Sequence, residues 1–198
     1  MPIRAVIWDF GGVLVRTTDH ARREALAAEL GLTLEELSAR IFDGDNRRKA
    51  QLGHIDGEQH LRTVATEFGM SAAALQSAFF ADDSLDEELM QYIRALRPRY
   101  KTGLLSNAMS TLRSAITERF SIADAFDAVI ISAEVGVMKP DARIYQLALD
   151  ALEVQPDEAI FIDDFADNVA GARALGMQAI QFDSREQALA DLQDLLDQ

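Results

Sequence analysis

Ile3-Arg4-Ala5-Val6-Ile7-Trp8-Asp9-Phe10-Gly11-Gly12-Val13-Leu14-Val15-Arg16-Thr17-Thr18 is the stretch around which the rest of the chain is organised. Residues 3–8 form a short apolar run, rich in β-branched and aromatic side chains, as a buried strand requires. A carboxylate follows abruptly at Asp9. Gly11-Gly12 then marks either a tight turn or a place where another group approaches the backbone. Open α/β sheets bind ligands beyond the carboxyl ends of their parallel strands. Asp9 at such an end is either a turn cap or a functional carboxylate, and one strand does not decide between them.

Composition narrows the field. The 198 residues carry 33 acidic against 19 basic side chains, a net charge of −14, which argues against nucleic acid or an anionic membrane as partner. The chain has no cysteine, so disulfides, thiolate metal sites and a cysteine nucleophile are excluded, in keeping with a cytoplasmic location. There is no charged n-region with an apolar h-region behind it, and no apolar run approaches the ~20 residues that span a bilayer. The expectation is a soluble cytoplasmic protein, a monomer or weak homodimer.

Residues 18–98 read as successive helices with no convincing strand. Thr18 or Asp19 can cap a helix that stops at Gly31, and Thr33 with Glu36 forms a capping box. Leu61, Val64, Ala65 and Phe68 make one apolar stripe within a helix over 57–68, and further helices are expected over 71–80 and 86–96. From Tyr100 the pattern alternates. Strands are expected at 101–105, 128–131, 159–162 and 177–182, with helices at 109–119, 142–152, 168–175 and 184–196 between and after them. Alternating strand and helix implies a parallel sheet covered on both faces. The expected architecture is an α/β core, residues 1–17 and 99–198, carrying a helical insertion over 18–98.

Polar residues follow the later strands as Asp9 follows the first. Ser106-Asn107 precedes a helix, either as an N-cap or as an anion site. Lys139 stands before Pro140, which fixes a turn and aims the lysine. Asp163-Asp164 ends an apolar run, and two adjacent carboxylates repel unless a cation lies between them, which suggests a hard metal. Helix capping explains one acid of that pair better than two. Together the set suits phosphoryl transfer: a carboxylate nucleophile or ligand at Asp9, Mg²⁺ at Asp163 and Asp164, and Ser106, Asn107 and Lys139 around a phosphoryl group.

In this order the stretches resemble the motifs of the haloacid dehalogenase superfamily over essentially the whole chain. Trp8-Asp9-Phe10-Gly11-Gly12-Val13 is similar to its first motif and Leu104-Leu105-Ser106-Asn107 to its second. The run from Val137 to Tyr145 resembles the third, and that from Phe161 to Ala172 the fourth. The nearest subgroup contains α-glucose-1-phosphate phosphatases and the N-terminal phosphatase domain of soluble epoxide hydrolases. The resemblance implies a Rossmann-like sheet with a small helical cap inserted after the first strand. It implies an aspartyl-phosphate on Asp9, with Lys139 beside it and a small phosphorylated metabolite as substrate. It also implies Mg²⁺ held by Asp9, Asp164 and the Gly11 carbonyl, with Asp163 as a direct or supporting ligand. Asp167 reads as structural.

One departure matters. The family pattern places a second Asp two residues after the nucleophile as general acid and base, a function worth ~10²–10⁴ in rate, and here that residue is Gly11. Either the substrates have good leaving groups, or the cap supplies the proton from His20, His54, His60, Asp43 or Asp45. The third possibility is a different chemistry, dehalogenase or phosphonatase, and a phospho-ligand-binding protein without turnover stays open. The basic cluster Asn46-Arg47-Arg48-Lys49 either faces the substrate or is a solvated helix face.

Overall fold

The computed structural model describes residues 2–197. Five parallel strands form the central sheet: β1 (Ala5–Trp8), β4 (Lys101–Ser106), β5 (Ala128–Ile131), β6 (Ala159–Asp163) and β7 (Gln178–Gln181). Their order is β5-β4-β1-β6-β7, so β1 is central and the chain builds outward on one side before crossing to the other. The strand order reverses beside β1, which opens a crevice at the carboxyl ends of β1, β4 and β6. Asp9, Ser106 and Asp163 stand at those ends.

Burial on both faces explains the continuous apolar runs of the strands. On one face Val6, Trp8 and Leu104 pack against Leu89, Met90 and Ile93 of α6 (Glu87–Leu96) and Leu192 of α11 (Arg185–Leu196). On the other, Ile7, Leu105 and Phe161 meet Ile144, Tyr145 and Leu149 of α9 (Ala142–Leu152) and Val169 of α10 (Ala166–Ala174).

The insertion holds α1 (Ala21–Glu29), α2 (Leu34–Phe42), α3 (Asp45–Gln51), α4 (Gly57–Glu67) and α5 (Ala72–Phe79). Leu26, Leu37, Ile41, Val64, Leu75 and Phe79 give these helices an apolar cluster of their own. The expected capping box is present, with Glu36 N donating to Thr33 Oγ1 and Thr33 N to Glu36 Oε2. Asp19, not Thr18, takes the first free N–H of α1, from Ala21.

Two elements differ from the sequence expectation. Residues 18–98 do contain a strand: β3 (Asp83–Leu85) pairs antiparallel with β2 (Val15–Thr17). Asp83-Ser84-Leu85 has no strand pattern of its own, and its conformation comes from its partner. Residues 109–119 form only α7 (Leu112–Ser114), running into a π-helical turn (Ala115–Arg119). The β2–β3 ribbon carries both chain crossings between the insertion and the sheet. Because α6 packs on the sheet, we place the end of the cap at this ribbon, near residue 82, rather than at 98.

Asp86 fastens that crossing. Its Oδ1 accepts from Leu89 N at 3.0 Å and from Arg185 Nη1 at 2.8 Å, while Oδ2 pairs with Arg16. Burial opposes ionisation, but the Leu89 amide, Arg185 and Arg16 outweigh it and hold this carboxyl below the usual range. Loss of the cap and both ion pairs in Asp86→Ala should lower stability by about 2 kcal/mol at neutral pH. A depressed carboxyl contributes stability above its unfolded value near pH 4, and that stability is lost as pH falls through the folded value. Thermal melts should therefore show a Tm gap between wild type and variant at pH 7 that narrows toward pH 3. An equal gap at both would overturn this role.

Candidate active site

Lys139 lies at the centre of the strand ends, nearly without solvent contact. Its Nζ donates to the Leu105 carbonyl at 2.9 Å and to Asp163 Oδ2 at 2.6 Å, and lies 2.9 Å from Asp9 Oδ1. A lysine is buried only when its charge is matched, and here two carboxylates match it. The clamp that holds it is the Asn107 side chain, which accepts from Lys139 N at 2.8 Å and donates to the Lys139 carbonyl at 2.9 Å. Asn107 thus holds the lysine main chain with both atoms of its amide. Pro140, joined by a cis peptide, does not open the following helix; Asp141 caps it.

Asp163 and Asp164 are adjacent but differ in environment. Asp163 is fully buried, with Oδ1 accepting from Phe165 N at 2.8 Å and Asn168 Nδ2 bridging both its oxygens at 3.0 Å. With Lys139 on Oδ2 as well, few lone pairs remain, so Asp163 orients its neighbours. Asp164 has the opposite character: its Oδ1 is buried and accepts no hydrogen bond.

Gly12 shows how closely Asp164 is seated. Its φ is +81°, and a Cβ there would lie 2.2 Å from Asp164 Oδ2, so both the turn and the approach require glycine. At Gly11 the space around a Cβ is open, and among the described residues its carbonyl accepts no hydrogen bond.

Carboxylate oxygens of Asp9, Asp163 and Asp164 gather within 4.8 Å of one another. Burial pushes Asp9 up to about 6, with Lys139 opposing the shift and Asp163 adding to it. Burial and the charge of Asp163 raise Asp164 as well. Crowded, desolvated carboxylates with an unsatisfied oxygen are what a hard divalent cation would complete. The fit is good, with Asp9, Asp164 and the Gly11 carbonyl as the available donors.

Ser106 is buried at the end of β4, and among the described residues its hydroxyl has no hydrogen-bond partner. The structure thus brings Asp9, Gly11, Ser106, Asn107, Lys139, Asp163 and Asp164 to one crevice. Among the described residues, none of the alternative proton donors hydrogen-bonds to these residues. His60 is buried inside the insertion with Nε2 3.2 Å from the Ile41 carbonyl, so it is a packing residue there. His20, His54, Asp43 and Asp45 are exposed and share no hydrogen bond with the crevice. Asp167 lies in the first turn of α10, as expected of a structural acid.

Asn168 was given no role by the sequence reading. One amide on an ordinary helix carries no pattern, and only its five-residue distance from Asp163 hints at contact. Gln51 was missed for the same reason: its Nε2 donates from α3 to the Asn107 carbonyl at 2.8 Å, so the insertion lies down on the crevice. A cleft of about 480 Å³ lies between α4, α5 and the π turn, and none of the crevice residues lines it.

The sequence model of the haloacid dehalogenase-like hydrolases matches residues 3–176. The chain belongs to that family. It is 46% identical over 211 residues to mouse acyl-CoA dehydrogenase family member 10, matching 98% of this chain but only 19% of that much longer protein. It is 29% identical to phosphatase MT3486 of Mycobacterium tuberculosis (strain CDC 1551 / Oshkosh), over 98% of this chain and 96% of that one. A HAD family enzyme of Bacteroides thetaiotaomicron, solved as a complex with magnesium and inorganic phosphate, superposes with a TM-score of 0.77 at 21% identity, over 94% of this chain and 98% of that one. The haloacid dehalogenase-like hydrolase therefore has the expected α/β fold. No helix among its described residues is long and apolar enough to cross a membrane.

Proposed function

We propose that this hydrolase is a Mg²⁺-dependent phosphomonoesterase acting through an aspartyl-phosphate on Asp9, on a small sugar phosphate or similar metabolite. The observation that carries the reading is the buried Asp164 oxygen left unsatisfied beside Asp9, under a glycine that only its absent side chain permits. Binding without turnover would need no buried carboxylate held against a lysine. Dehalogenation would need no cation, and would leave Asp164 in its costly position without purpose.

Asp9, Asp164 and the Gly11 carbonyl would hold the Mg²⁺, which supplies positive charge to the phosphoryl oxygens and to the crowded carboxylates. A carboxylate oxygen of Asp9 bonds to phosphorus as the ester P–O bond breaks, and the leaving oxygen departs with a proton from water. Water then attacks the same phosphorus, frees Asp9 and releases inorganic phosphate. Ser106 donates its hydroxyl to a phosphoryl oxygen. Two of the three N–H groups of Lys139 are engaged by Leu105 and Asp163, which leaves one for Asp9 and the phosphoryl group between them. Asn107 acts on the phosphate through Lys139.

Because Gly11 supplies no acid, the rate should depend steeply on the leaving group. Phosphate release should fall from acyl, aryl and anomeric sugar phosphates to simple alkyl phosphates, and by ~10² or more across that range. It should disappear with chelator and in Asp9→Asn protein. Halide release from 2-haloacids without Mg²⁺, with no phosphate release, would instead establish a dehalogenase. Tight Mg²⁺ and phosphate binding without turnover would establish a sensor.

A further inference from the structure

The helix α3 reads Asp45-Asn46-Arg47-Arg48-Lys49-Ala50-Gln51, three consecutive cations in a chain of net charge −14. Two contacts determine which side of it meets the core. Gln51 donates to the Asn107 carbonyl, and just beyond it Gly53 packs so closely that a Cβ would lie 2.1 Å from the Ala133 carbonyl. Residues four apart share a helix face, so Arg47 lies on the face that carries Gln51, about 6 Å back along the axis.

The other side of the seam is held by Arg119, whose Nη2 donates to the Phe80 carbonyl at 3.0 Å. The Phe80 ring meets Phe42 at 6.0 Å, and the Arg47 guanidinium carbon lies 5.0 Å from the centre of Phe42. Arg47, on the face of Gln51, and Phe42, against Phe80, are thus next to two of the contacts that the cap makes with the core.

The charge of Arg47 is unanswered. Arg22, Arg23, Arg40 and Arg62, elsewhere in the cap, each have a carboxylate within 4.0 Å. Among the described residues Arg47 has no ion-pair partner, and its Nε is buried without a hydrogen-bond acceptor. Burial pushes this guanidinium below its ordinary range, with Asp43 opposing the shift. Arg48 is also unpaired but exposed, so water answers it. Arg47 as a whole is half-buried, and a guanidinium whose Nε is sealed from water without an acceptor gains from an anion that reaches its open side. Phe42 lies against one side of it, and a guanidinium fork suits two oxygens of one carboxylate or phosphate.

We propose that Arg47 is the specificity-determining residue with which the cap binds a second anionic group, so that the substrates are phosphomonoesters bearing a carboxylate or a further phosphate. This rests on the phosphatase reading above. The test uses matched pairs: glycerol 3-phosphate against 3-phosphoglycerate, and fructose 6-phosphate against fructose 1,6-bisphosphate. Wild type should favour the member of one pair that bears the second anionic group, and which pair responds identifies that group.

Arg47→Gln should lower kcat/KM for that member roughly 10- to 100-fold, through KM, and leave the member without the second anionic group within about threefold. Arg47→Lys should recover only part of the loss, and exposed Arg48→Gln should match wild type. Calorimetric titration of the same compounds into Asp9→Asn protein, with and without Arg47→Gln, reads binding apart from turnover. Equal losses for both members of a pair, or no preference in wild type, would overturn the proposal. Selective binding that depends on Arg47 in a protein without turnover would sink the phosphatase reading and leave this one standing.

Discussion

Gly12→Ala protein is expected to fold, and to lose Mg²⁺ affinity and at least ~10² in turnover, the usual consequence of displacing a catalytic group by about 1 Å. Two independent features of position 12 lead to this. Its φ of +81° is in the region L-residues avoid, which alone costs about 1–2 kcal/mol. The added methyl carbon would then lie 2.2 Å from Asp164 Oδ2 and 2.6 Å from its Cγ, far inside contact distance. Asp164 is only partly buried, so it can swing away, and the fold survives at the expense of the ligand. Gly11→Ala is the control: nothing lies within 4 Å of a Cβ there, so Mg²⁺ affinity should stay within a few-fold of wild type. Calorimetric Mg²⁺ titration and phosphate release on both variants make the comparison. Unchanged Mg²⁺ binding in Gly12→Ala would remove Asp164 from the metal set.

The legible parts of this molecule were those in which one physical demand repeats along the chain. Burial on both faces makes Ala5–Trp8 and Ala159–Asp163 continuous apolar runs, so their strands and the acids ending them could be read directly. The helix Ala142–Leu152 was legible from its place in the alternation of strand and helix. What escaped depends on partners distant in sequence. Asp83–Leu85 is a strand only because Val15–Thr17 pairs with it, and α6 joins the core only because its apolar side meets β1. The same holds within the site. The acids and the lysine were visible as charges in unlikely places, whereas Asn107, Asn168 and Gln51 are amides whose roles exist only once their partners are beside them.

Lys139→Met should be the most damaging single change, lowering stability by about 3–5 kcal/mol because it leaves buried charge uncompensated. Methionine keeps most of the volume and removes the cation between Asp9 and Asp163, which are 2.9 Å and 2.6 Å from Nζ. The Leu105 carbonyl loses its donor as well. On the proposed mechanism turnover should fall by at least ~10³, since the positive charge beside both Asp9 and the phosphoryl group disappears. Lys139→Arg should not rescue it, because a planar fork cannot reproduce three acceptors around one ammonium in a site that is 1% exposed. Urea unfolding separates the two losses. Mg²⁺ should restore part of the stability of Lys139→Met by placing charge beside Asp9, but little of the turnover, because Asp163 and the phosphoryl oxygens still lack their donor. A variant that regained wild-type rate with Mg²⁺ would show that Lys139 serves the fold alone.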